Sequence, residues 1–292
     1  NSILLTAFVL KIIIIFGDLG LYHFGKKILV LLNQNPRKIF LYFLNPLIII
    51  ELTGNLHFEG VMMCFFVMGL YYFFTQKWIL SVVLISLSIS TKLLPLLLLP
   101  FLFQKLQFKK SIVFYSAIIV INVLLFLPFV SAELINNYSN SISLWFVTFE
   151  FNASFYYVFR EIGYYIKGYN TIGFIGKITP IISILVLLYF ALFKRNIEYK
   201  SLITHGLFAL TIYFFLSTTV HPWYIVNLVV LSMFTNYKYA IIWSFLVVLS
   251  YFAYSQSDFI ENYILLSIEY LVVIGFFIYE LFSNKKTMPI KD

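Results

Sequence analysis

Charge is scarce in this sequence. Only 11% of its 292 residues are Asp, Glu, Lys or Arg, against 62% hydrophobic and a mean hydropathy of +0.94, where a soluble domain carries roughly 25% charged and 45–50% apolar residues. No single water-soluble core hides that much apolar surface. Cysteine is nearly absent: Cys64 stands alone inside an apolar run, which excludes an intrachain disulfide and any metal site built from several cysteines. It reads as a small core residue. Period-two alternation is missing too. Runs such as Lys11-Ile12-Ile13-Ile14-Ile15-Phe16 are not the alternating ten-residue segments of a transmembrane β-barrel. Neither an internal repeat nor a low-complexity linker is visible, so 1–292 reads as a single domain. The first apolar stretch has no basic leader and no small-residue cleavage site. Together with a start at Asn1 in place of Met, this predicts that a further span and external loop precede the sequence.

What is present is a series of apolar runs near the ~20 residues that a helix needs to cross a bilayer. Helices are the default there, because an unpaired backbone group is costly in lipid. Eleven segments stand out, at about 2–25, 38–53, 56–75, 77–91, 93–104, 111–131, 172–193, 201–218, 222–236, 239–256 and 259–283. The expected fold is all-α: a polytopic transmembrane helical bundle with about 9–11 membrane segments. The twelve residues of 93–104 make about 18 Å of helix, too short to cross. With 77–91 they predict a re-entrant pair that turns inside the membrane at Thr91-Lys92, and Pro95 and Pro100 favour irregular helix there. The long connection 132–171 mixes aromatic and polar residues and predicts short interfacial helices in an external loop.

The net charge of +8 reads as topology and not as nucleic-acid binding, because the basic residues sit singly or in pairs between apolar runs. If the segments alternate in direction, one set of connections holds 15 of the 20 Lys and Arg, among them Lys26, Lys27, Lys38, Lys77, Lys105, Lys110, Lys200, Lys238, Lys285, Lys286 and Lys291. The opposite set holds Arg160, Lys167 and Lys177. By the positive-inside rule the crowded side and the C-terminus are cytoplasmic. The expected setting is an inner (plasma) membrane, with the polar turns facing outside.

The densest polar group is Glu51-Leu52-Thr53-Gly54-Asn55-Leu56-His57-Phe58-Glu59-Gly60, at an outer turn. Gly54 can end one helix and Asn55 can cap the next, with Glu59 suiting the dipole of its first turn. Capping leaves Glu51 and His57 unexplained. Carboxylates beside an imidazole can transfer protons, bind a divalent cation such as Mg²⁺ or Mn²⁺, or hold sugar hydroxyls. Asn45-Pro46 lies within the preceding run, where proline bends a helix. Lys92, an ammonium inside the membrane, is expected to face a cavity and meet an anion: a buried acid, for which Asp18 is the preferred partner, or a phosphate. His221-Pro222-Trp223-Tyr224 follows Ser217-Thr218-Thr219 at another outer turn. Pro222 suits a helix start and the aromatics suit an interfacial belt, whereas His221 is left over.

Asn45-Pro46-Leu47, Glu51, Gly54-Asn55, His57-x-Glu59-Gly60, Ser90-Thr91-Lys92-Leu93-Leu94-Pro95 with Pro100, and His221-Pro222-Trp223-Tyr224 together resemble the bacterial mannosyltransferase-like proteins of the GT-C superfold. These are related to the polyprenyl-phosphate-mannose-dependent transferases. The likeness runs from about residue 10 to 235. It implies a membrane glycosyltransferase that moves a hexose, mannose in the first instance, from a polyprenyl-phosphate sugar to a glycan or glycolipid acceptor at the outer face, with inversion. It implies catalytic roles for Glu51, His57 and Glu59, with the main general base in a loop before Asn1. Lys92, His221 and Arg160 would meet the donor phosphate, and Asn55, Trp223 and Tyr224 the substrate. Many relatives carry aspartate where this chain has Glu59, which keeps the charge and alters the reach. A secondary transporter is the main rival reading, and it would more often show repeats. A polysaccharide polymerase or ligase would more often use external arginines, of which only Arg160 is offered.

Overall fold

A computed structural model describes residues 2–143, 148–255 and 259–286 of the chain. It is helical throughout, and among the described residues the one β contact is an isolated parallel bridge between Phe151 and Thr219. Among the described residues five helices are long and apolar enough to cross a membrane, or six if one bent pair counts as a span. They are α1 (Ile3–Leu31), the stretch Leu94–Phe129, α9 (Ile172–Leu192), α10 (Tyr199–Leu216) and α13, whose spanning part is Tyr263–Asn284. The remaining apolar segments are α4 (Glu59–Phe74), α5 (Trp78–Thr91), α11 (Ile225–Met233) and α12 (Tyr239–Leu246), the last two extended by 3-10 turns at Pro222–Tyr224 and Val247–Tyr254. The segment expected at 222–236 as a span is instead the centre of the bundle: every residue of Ile225–Met233 is buried.

The 3-10 helix Leu94–Leu102, which starts the spanning stretch Leu94–Phe129, and α5 are the two segments expected as a re-entrant pair. Lys92 interrupts it in an extended conformation (φ −155°, ψ 146°), and Pro95 opens the second limb. A helix, α6 (Phe103–Phe126), follows with a non-helical break at Gln107. Small residues let α4 pack closely on both sides. A Cβ on Gly17 of α1 would lie 3.2 Å from the Val61 Cα, and one on Gly69 would lie 2.6 Å from Ile85, the close backbone approach typical of helices in lipid. Ser88 of α5 donates to the Met62 carbonyl of α4 at 2.7 Å.

Asn45-Pro46 breaks its helix outright. Asn45 is extended and its side chain caps Leu47 N–H, so α2 (Phe40–Phe43) ends and α3 (Pro46–Ile48) begins anew. A π-helical turn, Ile49–Gly54, follows α3, and the chain then bends by 109° into α4. Asn55 does not cap α4 as expected. It closes the π turn, with its N–H on the Ile50 carbonyl, while the residue before α4 is Phe58, which makes no side-chain cap. The left-handed position that turns the chain is Leu56 (φ 62°), not Gly54.

In the long connection, α7 (Ala132–Ser143) is exposed and α8 (Phe155–Lys167) buries Tyr156 and Tyr157. Residues 144–147, which include Trp145 and Phe146 among the aromatics expected at the interface, lie outside the described residues, as does Lys291 in the C-terminal tail. Basic residues from several connections gather at one end of the bundle: Lys27 over Tyr71, Lys77 over Tyr72, Lys105 over Tyr199, and Lys38 near Lys200 and Lys238. The sixteen residues of α4, about 24 Å of helix, run from Glu59 to that basic end.

Candidate functional site

At the other end of α4 lies a cavity of about 710 Å³ whose wall includes His57, Glu59, Lys92, Trp223 and Tyr224. Five of the residues singled out in the sequence therefore share one wall, although they come from three separate stretches of chain. The extended Lys92 backbone carries its ammonium to Glu59 Oε1, and the two form an ion pair. Glu59 is only 1% exposed, and its Oε2 has no hydrogen-bond partner among the described residues. The expected pairing of Lys92 with Asp18 does not form; Asp18 accepts instead from Tyr42 at 2.7 Å. Asp18 sits on α1, which meets α4 on a side away from α5, so a nearer hydroxyl satisfies it.

Above this pair three rings stack in a row. The His57 and Trp223 centroids are 3.8 Å apart, and Trp223 and His221 are 4.3 Å apart. The indole is thus engaged by both imidazoles, which leaves mainly its edge to the cavity. His221 is buried and stands behind Trp223, outside the cavity lining. Burial, followed by the Lys92 charge, lowers His57 to a pKa of about 4. Burial, followed by the His57 and Lys92 charges, does the same to His221. Both imidazoles are therefore neutral at pH 7, and the 3.7 Å approach of His57 to Glu51 is a contact with a neutral ring and not an ion pair.

Glu51, Asn55 and Arg160 are not part of the cavity wall. Glu51 is fully buried within the π turn and accepts from Tyr251 at 2.6 Å and from Asn55 at 3.3 Å. It holds the turn that presents His57, whose N–H bonds the Glu51 carbonyl. Arg160 pairs with Glu150 at 2.6 Å and Glu161 at 2.9 Å and lies over the Tyr157 ring. No group of three or more His, Cys, Asp or Glu converges among the described residues. With Glu59 committed to Lys92 and Glu51 to Tyr251, the polar turn does not fit a divalent cation as it stands.

Other parts of the wall were not singled out from the sequence: Gly176, Thr179, Pro180 and Ser183 on α9, Tyr213 on α10, Thr218 and Thr219 in the turn after it, and Asn227 on α11. The α9 set recurs at helical spacing in a run of Ile and Leu, which is a readable signal of one non-lipid face. A second polar cluster was missed altogether. Asn152, left-handed at φ 46°, donates its N–H to Glu261 at 2.6 Å and its side chain to Glu269 at 3.1 Å, and its carbonyl accepts from Tyr270 at 2.5 Å. Glu269 also accepts from Trp243 at 2.8 Å. Val220 N–H bonds the Phe151 carbonyl at 2.8 Å, so this cluster clamps the segment around Asn152 onto the turn that carries His221 and Trp223. The signal for it was an acid, Glu269, inside a long apolar run.

Residues 1–106 match the family model described as alpha-(1->6)-mannopyranosyltransferase, N-terminal domain. That stretch, a little over a third of the chain, contains Glu51, His57, Glu59 and Lys92. No curated protein and no solved structure matches the chain.

Proposed function

We propose that the chain is a membrane glycosyltransferase that moves a hexose, mannose in the first instance, from a polyprenyl-phosphate donor to a lipid- or glycan-linked acceptor, with inversion. The observation that carries this reading is the Lys92–Glu59 pair in the wall of a 710 Å³ cavity, within the stretch similar to a mannosyltransferase domain. The basic end of the bundle lies away from that cavity, and by the positive-inside rule the cavity faces outside.

The chemistry follows from the residues available. A carboxylate accepts the proton of the acceptor hydroxyl. Glu59 is the one at the cavity. The acceptor oxygen forms its bond to the anomeric carbon as the bond to the phosphate oxygen breaks, and the polyprenyl phosphate leaves with the electron pair. Lys92 stabilises the charge that develops on it. The neutral His57–Trp223–His221 stack forms a rigid wall beside the sugar.

The test uses the protein in membranes, with radiolabelled polyprenyl-phosphate mannose. Lys92→Ala is expected to lower transfer by about a hundredfold and Glu59→Ala by about tenfold or more, in line with the loss of one stabilising group. Unchanged transfer in both variants removes these residues from the site. If no lipid-linked sugar is consumed by the parent protein, the class is wrong.

A further inference from the structure

The cavity wall carries one cation and one carboxylate, and they are already bonded to each other. Among the described lining residues Lys92 is the one Lys or Arg, and Glu59 the one acid. The Lys92 side chain is 36% exposed and reachable, whereas that of Glu59 is 1% exposed. Glu59 uses Oε1 for the lysine, and Oε2 has no partner among the described residues, so loss of Lys92 would leave a buried carboxylate with no compensating charge. The neighbouring His57 and His221 add no positive charge at neutral pH, because burial keeps both rings deprotonated. An anion that enters this cavity therefore meets a wall whose formal charge is zero and whose only ammonium is engaged. Hydroxyls of the wall such as Thr218 and Thr219 can donate to it, but an ion pair forms only by taking Lys92 from Glu59 or by sharing it, and the carboxylate then stands beside a second negative charge in a site of low dielectric.

We propose that Glu59 and an isoprenyl phosphate compete for the Lys92 ammonium, so that Glu59 weakens phosphate binding and drives the isoprenyl phosphate product out of the cavity. The identity of the anion rests on the transferase reading; the competition itself rests on the charge count of the wall. A sugar-bearing phosphodiester carries one negative charge and a phosphate monoester ~1.5–2 at neutral pH, so Glu59 opposes product more than donor. The same exchange releases the Glu59 carboxylate from its lysine only while a phosphate is present, which is when a proton acceptor is needed. Because coupling is reciprocal, whatever weakens the Lys92–Glu59 pair while keeping the ammonium must strengthen phosphate binding.

The experiment is the binding of farnesyl phosphate to the protein in nanodiscs by calorimetric titration, on the parent, Glu59→Gln, Glu59→Asp and Lys92→Gln, with the thermal midpoint of each measured alongside. Glu59→Gln is expected to bind at least tenfold tighter than the parent, Lys92→Gln to lose measurable binding, and Glu59→Asp, whose shorter arm loosens the pair, to fall between parent and Glu59→Gln. Farnesyl phosphate should likewise become a stronger inhibitor of transfer by Glu59→Gln, although that variant turns over more slowly. A folded Glu59→Gln that binds no tighter than the parent overturns the proposal. Should Glu59→Gln not fold, a Glu59→Asp no tighter than the parent overturns it equally. Tighter binding in Glu59→Gln without any mannose transfer by the parent would uphold the competition and remove the transferase, so the two readings fail separately.

Discussion

Glu59 and Glu269 are both enclosed acids, at 1% and 0% exposure, and their surroundings divide this end of the molecule into two regions. Glu59 faces a cation and stands at the wall of a cavity. Glu269 meets two neutral donors, the Trp243 indole and the Asn152 amide, and joins α13 to α12 and to the segment around Asn152. In both, one carboxylate oxygen has no partner among the described residues. What separates them is access: a pair beside a cavity can exchange partners with a ligand, whereas a cluster sealed between three segments can only hold them together. A buried acid in a membrane helix is by default a functional candidate, and here neighbouring space, not burial, sorts the site from the clamp.

Glu269→Ala is the harshest way to break this comparison. It leaves the Trp243 indole N–H without its acceptor and the Asn152 amide with only the Val220 carbonyl, and is expected to cost about 3 kcal/mol, seen as a lowered thermal midpoint in detergent. Glu269→Gln, which keeps an acceptor, should cost about 1 kcal/mol. In both variants farnesyl phosphate binding per folded molecule should stay within about twofold of the parent, since the wall keeps its charges; a larger loss would make the clamp part of the site.

Acid should act on the ring stack next. The folded-state values of His57 and His221, about 4, lie below the ordinary value of 6.5, so between them the unfolded chain binds more protons than the folded one. The stability these neutral rings contribute is complete above pH ~6.5 and is lost as pH falls toward 4. Thermal midpoints at pH 7.5 and 4.5 measure the drop, and His57→Gln should shrink it; a midpoint that rises on acidification would mean that the rings are charged.

Arg160 should matter least. Its partner Glu161 is 65% exposed, and such pairs are worth at most about 1 kcal/mol, while its more enclosed partner Glu150 keeps the Tyr156 hydroxyl and the Asn170 amide when the guanidinium is gone. Arg160→Gln is expected to lower the thermal midpoint slightly and to leave the apparent donor affinity in the transfer assay unchanged. A marked loss of donor affinity would bring Arg160 to the phosphate after all.

Much of the fold could be read along the chain, because length and hydropathy are local properties. The expected segments at 172–193 and 77–91 correspond to helices Ile172–Leu192 and Trp78–Thr91, and the interruption at Thr91-Lys92 is where two prolines and a lysine in an apolar run suggested it. The cavity was legible only where polarity was conspicuous, at His57, Glu59, Lys92, Trp223 and Tyr224. Thr179, Ser183 and Asn227 passed unnoticed because single small polar residues are ordinary in membrane helices.

The sequence by itself determined that this is a helical membrane bundle, where its helices run, and which end is basic. Only the tertiary structure decided that Lys92 meets Glu59, 33 residues away, and not Asp18, that Glu51 reaches Tyr251 across 200 residues, and that α11 is core while most of α6 is exposed. In water an amphipathic stripe reports which face of a helix is inside. In lipid both faces are apolar, so helix rotation and neighbours are set by close packing and a few polar contacts between helices, and those are not written in the hydropathy of any one segment.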